Sequence, residues 1–490
     1  MKKTSAFSPT RVSMAVAVVC VGISMPAFAQ MDTKMTGRVH YDARYFNNGL
    51  SGSQDRDYGS VADTFEIRRA RIGFTGNYNK QIQYEGVANG VGSSTNIIDT
   101  AFINYGYNSA ANIRVGRFKQ PFSLEENTSS NNIDFMERSY VNQVIPGKKL
   151  GAMLHGANQS GFTYAASIYQ NDFRELSNTD GSGTMGALRL TTNLAKFANL
   201  DGDSQPVLHL GYGLVSGSYE ILPVTSGNTS KAPDTKTRAT VIGFNDENRG
   251  LSNAYRLQIG GDLLGTGGGY NAVANHTVNV QNDMQGLELA VTHGPFKFQG
   301  EVADSKYNAS TTRYNGTTAS AIGTATLSAN VKTQYMSVLF NITGEDFSKT
   351  YSKGSFGGIK PKSEFMKDYG GVVGNGTGAW QVGYRVSKYQ VSIGQAASQD
   401  VSDSNADTTY YVNSGDGLGV TTSQNSRYQN SPSATTHTLA VNWILNSNAR
   451  VMFNFSRTNF SSPVEVLDSS FDTTTTNKED IFSIRTQFNF

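Results

Sequence analysis

Cysteine is almost missing from this chain: Cys20 is the single one in 490 residues. It lies in a short apolar run, Met14 to Ile23, that follows Lys2, Lys3 and Arg11 and precedes the small residues Ala27 and Ala29. A basic start, a short apolar stretch and an A-x-A site make residues 1–29 an expected secretory signal peptide, cut after Ala29. Val19 stands where a lipoprotein carries a small residue before its cysteine, which argues against lipidation. Residues 30–490, the expected mature chain, then hold no thiol and so no disulfide framework, despite export. No later run approaches the roughly 20 apolar residues that a spanning helix needs. Proline is scarce at 11 residues, and no proline-rich linker, charge run or composition shift divides the chain. Excess charge is missing too. Taking the signal's three bases from 41 leaves 38 against 39 acids, which disfavours a nucleic-acid partner.

Catalytic and metal signatures are equally thin. The six histidines are scattered, with no HExxH pair and no His/Asp/Glu group at metal spacing. GTGGGY, Gly265 to Tyr270, lacks the Lys-Ser/Thr of a phosphate loop, and DGDSQ, Asp201 to Gln205, departs from EF-hand spacing. Neither an enzymatic reaction nor a cofactor is expected.

What is plentiful is glycine, tyrosine and phenylalanine, at 51, 24 and 26 residues. They fall into segments that alternate apolar and polar side chains, the period of a β-strand. In the terminal FSIRTQFNF, Phe482, Ile484, Thr486, Phe488 and Phe490 share one parity; Ser483, Arg485, Gln487 and Asn489 share the other. TGRVHYDARYF opposes Val39, Tyr41, Ala43 and Tyr45 to Arg38, His40, Asp42 and Arg44. GAWQVGYRVSKY opposes Trp380, Val382, Tyr384 and Val386 to Gln381, Gly383, Arg385 and Ser387. Small and polar residues on the second face suit a wet lumen better than a packed core.

The connections sort by length. Short turns at 77–79, 108–111, 158–161, HGP and NSNA alternate with long Gly/Ser/Thr/Asn-rich loops at 47–63, 119–147, 219–284, 306–331, 394–433 and 460–478. That pattern predicts an all-β fold, a transmembrane antiparallel barrel of about sixteen strands with both termini on the periplasmic side. Two segments fit poorly. In TFEIRRARIGFTG the apolar parity switches, which a β-bulge near Arg68 and Arg69 would reconcile while turning both arginines to the lumen. The stretch 344–378 is long for a periplasmic turn and carries Lys349, Lys353, Lys360, Lys362 and Lys367.

A sixteen-stranded barrel leaves an aqueous channel whose selectivity comes from whatever narrows it. The loop after the fifth strand, the third external one, carries Phe118, Phe122, Leu124, Ile133, Phe135 and Met136, which predicts that it folds inward against the wall. Around it stand Arg68, Arg69, Arg71, Arg114 and Arg117, with Arg138 from the loop itself. Guanidinium groups suit phosphate and carboxylate, since they donate in a planar fork and stay charged. Equally, they can pair with Glu66, Glu85, Asp99, Glu125, Glu126, Asp134 and Glu137 to hold the loop. Both readings stand, and within 118–140 only Lys119 and Arg138 face four acids.

Several blocks together resemble the phosphate-selective porins O and P: FEIRRARIGFTG, NIRVGRFKQPFSLEENTSSNNIDFMERS, GEDF, GGIKP, GAWQVGYR, THTLAVNW and the strand ending in phenylalanine. They span nearly the whole mature chain. The resemblance implies a homotrimeric outer-membrane barrel that lets small anions such as phosphate or polyphosphate diffuse through an arginine- and lysine-lined constriction. By position it implies a constriction of Arg68, Arg69, Arg71, Asp99, Lys119, Ser129 and Arg138, and a periplasmic exit bearing Lys353 and Lys360. There are departures: Glu126 replaces a family lysine, Arg71 a tyrosine and Lys119 an aromatic. The family's arginine ladder in the fifth loop is thinned to Lys231, Lys236, Arg238, Arg249 and Arg256. The expected partners are therefore small anions, outer-membrane lipids and two further copies of the chain. A general low-selectivity porin is the alternative, and a barrel for surface adhesion a more distant one.

Overall fold

The structure, a computed structural model, describes residues 32–47, 63–91, 97–171, 183–198, 205–221, 239–251, 255–259, 278–314, 321–368, 373–400, 410–413, 420–421, 432–467 and 473–490. The expected signal peptide and Lys231, Lys236 and Arg238 lie outside them. The described strands include one closed barrel of sixteen, antiparallel throughout and in chain order. They are β1 Asp32–Asn47, β2 Thr64–Asn77, β3 Ile82–Asn89, β4 Ile98–Asn108 and β5 Ala111–Lys119. Then come β6 Lys148–Ala157, β7 Phe162–Gln170, β8 Thr184–Asn193, β9 Val207–Ile221, β10 Val278–His293 and β11 Phe296–Tyr314. The last are β12 Ala321–Asn341, β13 Ala379–Asp400, β14 Ser433–Ile444, β15 Ala449–Leu467 and β16 Thr473–Asn489. Among the described residues no helix is long and apolar enough to cross a membrane.

Alternation decides which face is which. On β16, Phe482 and Phe488 expose 44% and 52% of their surface, while Ser483, Arg485 and Gln487 between them are buried. Phe65, Ile103, Val115, Leu287, Met336 and Leu439 are exposed in the same way. A soluble sandwich would hide the apolar parity; this ring shows it to the outside, as a hydrocarbon surround requires. β1 closes on β16 from Arg38 opposite Asn489 to Asn47 opposite Asp480. The terminal Phe490 completes the seam. Its N–H and carbonyl exchange hydrogen bonds with Gly37 at 3.1 and 2.9 Å. Its ring lies so close over Gly37 that a Cβ there would meet it at 2.2 Å, which only glycine avoids.

The parity switch in β2 is a bulge. His40 faces Arg69 and Tyr41 faces Ile67, which leaves Arg68 as the extra residue. Loop bounds differ from expectation. β11 runs to Tyr314 and β12 begins at Ala321, so most of 306–331 is strand; likewise β15 and β16 fill most of 460–478. Strands of 19 to 22 residues far exceed the roughly 9–11 that span a bilayer, so their ends stand beyond it, and there the alternating apolar side chains, Tyr307, Ala309, Leu327, Ala329 and Val331, turn inward.

The lumen also differs from a uniformly wet one. Val278, Val280, Leu327, Val331, Val391 and Phe460, on the buried faces of β10 to β15, form one apolar cluster with Val241, Ile242, Phe244, Leu251 and Leu257. The latter come from a small sheet in which Ala239–Phe244, Tyr255–Ile259, Tyr410–Asn413 and Val420–Thr421 pair in that order. Inward apolar side chains are stable there because another segment covers them. The overlong stretch 344–378 contains a 3-10 turn at Phe347–Thr350 and two short hairpins, with Phe347 N–H bonded to the Gly294 carbonyl at 2.9 Å.

Candidate functional site: cations beside the segment 120–147

The segment between β5 and β6 begins with a single helical turn, Leu124–Asn127. Ser123 caps it by accepting the Glu126 N–H at 3.2 Å, at a φ of 69°. A serine in this left-handed region is costly by about 1–3 kcal/mol and persists only where neighbours fix it. They do: Glu301 of β11 accepts the Leu124 and Glu125 N–H groups at 3.0 and 2.7 Å, and Asn127 Nδ2 donates to the Ser123 carbonyl at 2.9 Å.

From there the segment is bonded to strands far around the ring. Arg385 of β13 donates to Glu125 at 3.1 Å and to the Glu137 carbonyl at 3.0 Å. Lys297 of β11 pairs with Asp134 at 2.5 Å, and Asn442 of β14 donates to the Asp134 carbonyl at 2.7 Å. Arg450 of β15 donates to the Ile133 carbonyl at 2.9 Å. Arg485 of β16 donates to Glu137 at 2.9 Å, and Gln487 to the Asn131 carbonyl at 3.1 Å. Arg38 of β1 donates to Ser130 Oγ at 2.8 Å. Every one of these wall residues lies on the polar parity of its strand.

These bonds settle the charge balance within the segment. Glu125, Asp134 and Glu137 are engaged by Arg385, Lys297, and Arg44, Arg68 and Arg485 respectively. Burial alone would raise the Glu137 carboxyl, but Arg68 and Arg485 hold it well below the usual carboxylate range. Only Glu126 of the segment's acids lines the adjoining cavity.

That cavity, of ≈ 930 Å³, is bounded by β1 to β8, by the segment itself and by Lys353 and Ser355. Ten cationic side chains line it against three carboxylates, Glu85, Asp99 and Glu126. Of the residues expected from the sequence, Arg69, Arg71, Asp99, Lys119, Ser129, Arg138 and Lys353 line it together. Arg68 and Lys360 do not. Arg68 closes on Glu137 at 2.9 Å, and Lys360 is exposed.

The cations have different duties. Arg138 donates to the carbonyls of Glu125 and Thr128 at 3.1 and 3.0 Å and pairs with Glu126 at 3.3 Å. Lys119 donates to the Thr128 carbonyl at 2.9 Å and also to that of Glu126. These two hold the helical turn. Asp99 lies between Arg71, at 2.8 Å, and Lys148. Arg114 stacks over Phe102 at 4.2 Å, a cation–π contact that fixes the guanidinium without neutralising it. Sequence reasoning did not single out Lys148, nor the anchors Arg385, Arg450, Arg485 and Lys297. Arg385 and Arg485 were nonetheless visible on the polar parity of their strands. Their partners, more than 240 residues away in the chain, were not.

Residues 33–490 match the family model described as phosphate-selective porin O and P. No curated protein matches the sequence. Among solved structures, the trimer form of the in-vitro folded outer-membrane protein OmpT of Vibrio cholerae is similar at 9% identity and a TM-score of 0.47, over 94% of this chain and 99% of that one. The anion-selective porin from Comamonas acidovorans is similar at 9% identity and 0.44, over 94% and 100%. The outer-membrane channel DcaP of Acinetobacter baumannii is similar at 10% and 0.44, over 94% and 98%.

Proposed function

The chain belongs to the phosphate-selective porin O and P family, and from that premise we propose that this outer-membrane porin passes small anions, phosphate or polyphosphate among them, through the cation-lined cavity. The observation that carries the proposal is the charge imbalance: ten cations line the cavity against three carboxylates. Among the ten, Arg189 is closed on a carboxylate outside the lining, Glu288, while Arg138 pairs with Glu126 and Arg71 and Lys148 with Asp99 within it. It exists because wall cations elsewhere engage Glu125, Asp134 and Glu137. An anion entering such a space is drawn by a field that low-dielectric walls focus, and several weak sites in series let it leave again.

In this proposal the segment 120–147 lies across the lumen and leaves the passage on the side of β1 to β8. Arg69 and Arg71 meet the solute, Asp99 sets the position of Arg71 and Lys148, and Ser129 offers a neutral hydroxyl. Arg138 and Lys119 serve mainly to hold the segment. Lys353 stands at the periplasmic end as an exit cation, whereas Lys360 faces solvent. The exposed apolar belt meets outer-membrane lipid and, in a homotrimer, two further copies of the chain. Export relies on residues 1–29 as signal peptide. One observation favours the general-porin alternative: both Lys119 and Arg138 are held by carbonyls, and this weakens their pull on a solute.

Phosphate titrated against chloride current through single channels in a planar bilayer tests the proposal. Block at low phosphate, weakened at least tenfold by Arg69→Ala or Arg71→Ala, is expected. No block in the wild type would leave a general porin.

A further inference from the structure

His40 is fully buried, and neither ring nitrogen has a hydrogen-bond partner among the described residues. It stands in a row of four. Across the sheet His40 faces Arg69 on one side and Gln487 on the other, and Gln487 faces Arg450. All four lie on the polar face of β2, β1, β16 and β15, behind the residues 131–137 that Gln487 and Arg450 hold by their carbonyls.

The row is short of acceptors. Arg69 Nε and Nη1 and Arg450 Nη2 are buried without a partner, as are both nitrogens of His40. An unpaired buried donor costs about 1–3 kcal/mol, and a charged one more, so several together call for an acceptor. The nearby carboxylates are already engaged. Asp42 takes two bonds from Arg485 at 2.7 Å, Glu137 takes Arg485 and Arg68 at 2.9 Å, and Asp134 takes Lys297 at 2.5 Å. Arg38, Arg69, Arg450 and Arg485 all act on His40 with positive charge. A protein carboxylate is not what this row lacks; a small mobile anion fits it.

We propose that Arg69, His40 and Arg450 hold a small inorganic anion, a halide or an oxyanion, sequestered between the barrel seam and residues 131–137. The guanidinium groups donate from either side and one imidazole N–H from between, while the Gln487 amide, committed to Arg450 and Asn131, closes the wall. The anion neutralises Arg450, which the passage does not use, shares Arg69 with the cavity wall, and ties the segment to the seam. Two of its three holders, His40 and Arg450, do not line the cavity, so it stays bound while permeant ions move past on the far side of Arg69. The proposal does not depend on which solute the passage prefers.

Crystals of the full-length mature protein grown in sodium bromide, and a second set in sodium selenate, test it by anomalous scattering. The expected result is a peak within hydrogen-bond distance of at least two of the three side chains; bromide alone would mark a halide site, and selenate an oxyanion site. Arg450→Gln should abolish this peak and leave bromide near Arg71 in the cavity. A water without anomalous signal, or no density, would overturn the proposal whatever the cavity holds. If the variant does not fold, wild-type unfolding in detergent decides: its midpoint should rise with bromide at constant ionic strength set by gluconate. An unchanged midpoint contradicts the proposal.

Discussion

Arg68 Nε and Nη2 donate to opposite oxygens of the Glu137 carboxylate, at 2.9 and 3.1 Å. The bulge at Arg68 makes the contact possible, since it leaves this arginine unmatched by β1 and lets Arg69 keep its own place opposite His40. Two adjacent arginines thus take separate roles, one as a clamp on the segment and one on the cavity wall.

The clamp is shared, so losing one arm should matter less than losing its hub. Glu137 keeps Arg44 and Arg485 when Arg68 is replaced. Arg68→Met is expected to cost about 1–2 kcal/mol. Arg485→Met removes two bonds to Asp42, one to Glu137 and one to the Met136 carbonyl at once, leaving both buried carboxylates to Arg44 and Arg68, and is expected to cost about 3–5 kcal/mol. Denaturant unfolding in detergent should rank the two in that order.

Asp99 is the carboxylate that restrains Arg71 and Lys148. Asp99→Asn should release both cations toward the solute, shift the reversal potential further toward the anion limit and prolong phosphate dwell times in single-channel records. A shift toward cations would show that Asp99 does more to position the arginines than to offset them.

Two loop carboxylates should respond to pH with opposite signs. Glu137 is held below the usual range, so its stabilisation is present above the unfolded-chain value and is lost as acidification passes through its lowered pKa. Burial pushes Glu247 up to about 7, although Arg385 pulls it down. Its contribution is fully present below the ordinary value of 4.5 and is lost as pH rises through about 7. Amide exchange in 245–251, corrected for intrinsic rates, should therefore be slower at pH 5 than at pH 8, and Glu247→Gln should remove the difference.

At the seam, Gly37→Val places side-chain atoms where the Phe490 ring lies, with a Cβ already at 2.2 Å. Folding yield into detergent micelles should fall several-fold, and Gly37→Val combined with Phe490→Ala should recover part of it. A yield unchanged by Gly37→Val alone would mean that the terminal ring does not need that position.

Much of this was legible in the sequence. The alternation of short turns with long loops carried the strand count, and period two within FSIRTQFNF, TGRVHYDARYF and GAWQVGYRVSKY carried the face of their side chains, because it survives in any strand whose two sides meet different surroundings. It also exposed the bulge, since Phe65 and Ile67 fall out of phase with Ile72 and Phe74. At 306–331 the polar Ser/Thr/Asn content reads as loop, yet Tyr307, Ala309, Leu327, Ala329 and Val331 alternate with polar residues and turn inward under the segment that covers them. The apolar lining of β10 to β15 was hidden for a different reason. Val280 and Val331 look outward-facing by composition until the segment that covers them is placed. Charge pairing was the least legible. Four acids in 118–140 weigh against an anion path by count, and only the register around the ring brings Arg385, Lys297 and Arg485 to three of them.

The reversal potential of the purified protein in a planar bilayer across a KCl gradient tests the central claim most directly. With the segment's acids engaged by the wall, the cavity's surplus of cations predicts a potential near the chloride limit, reduced by Arg69→Ala and Arg71→Ala together. A potential near zero, or one leaning toward potassium, would contradict it.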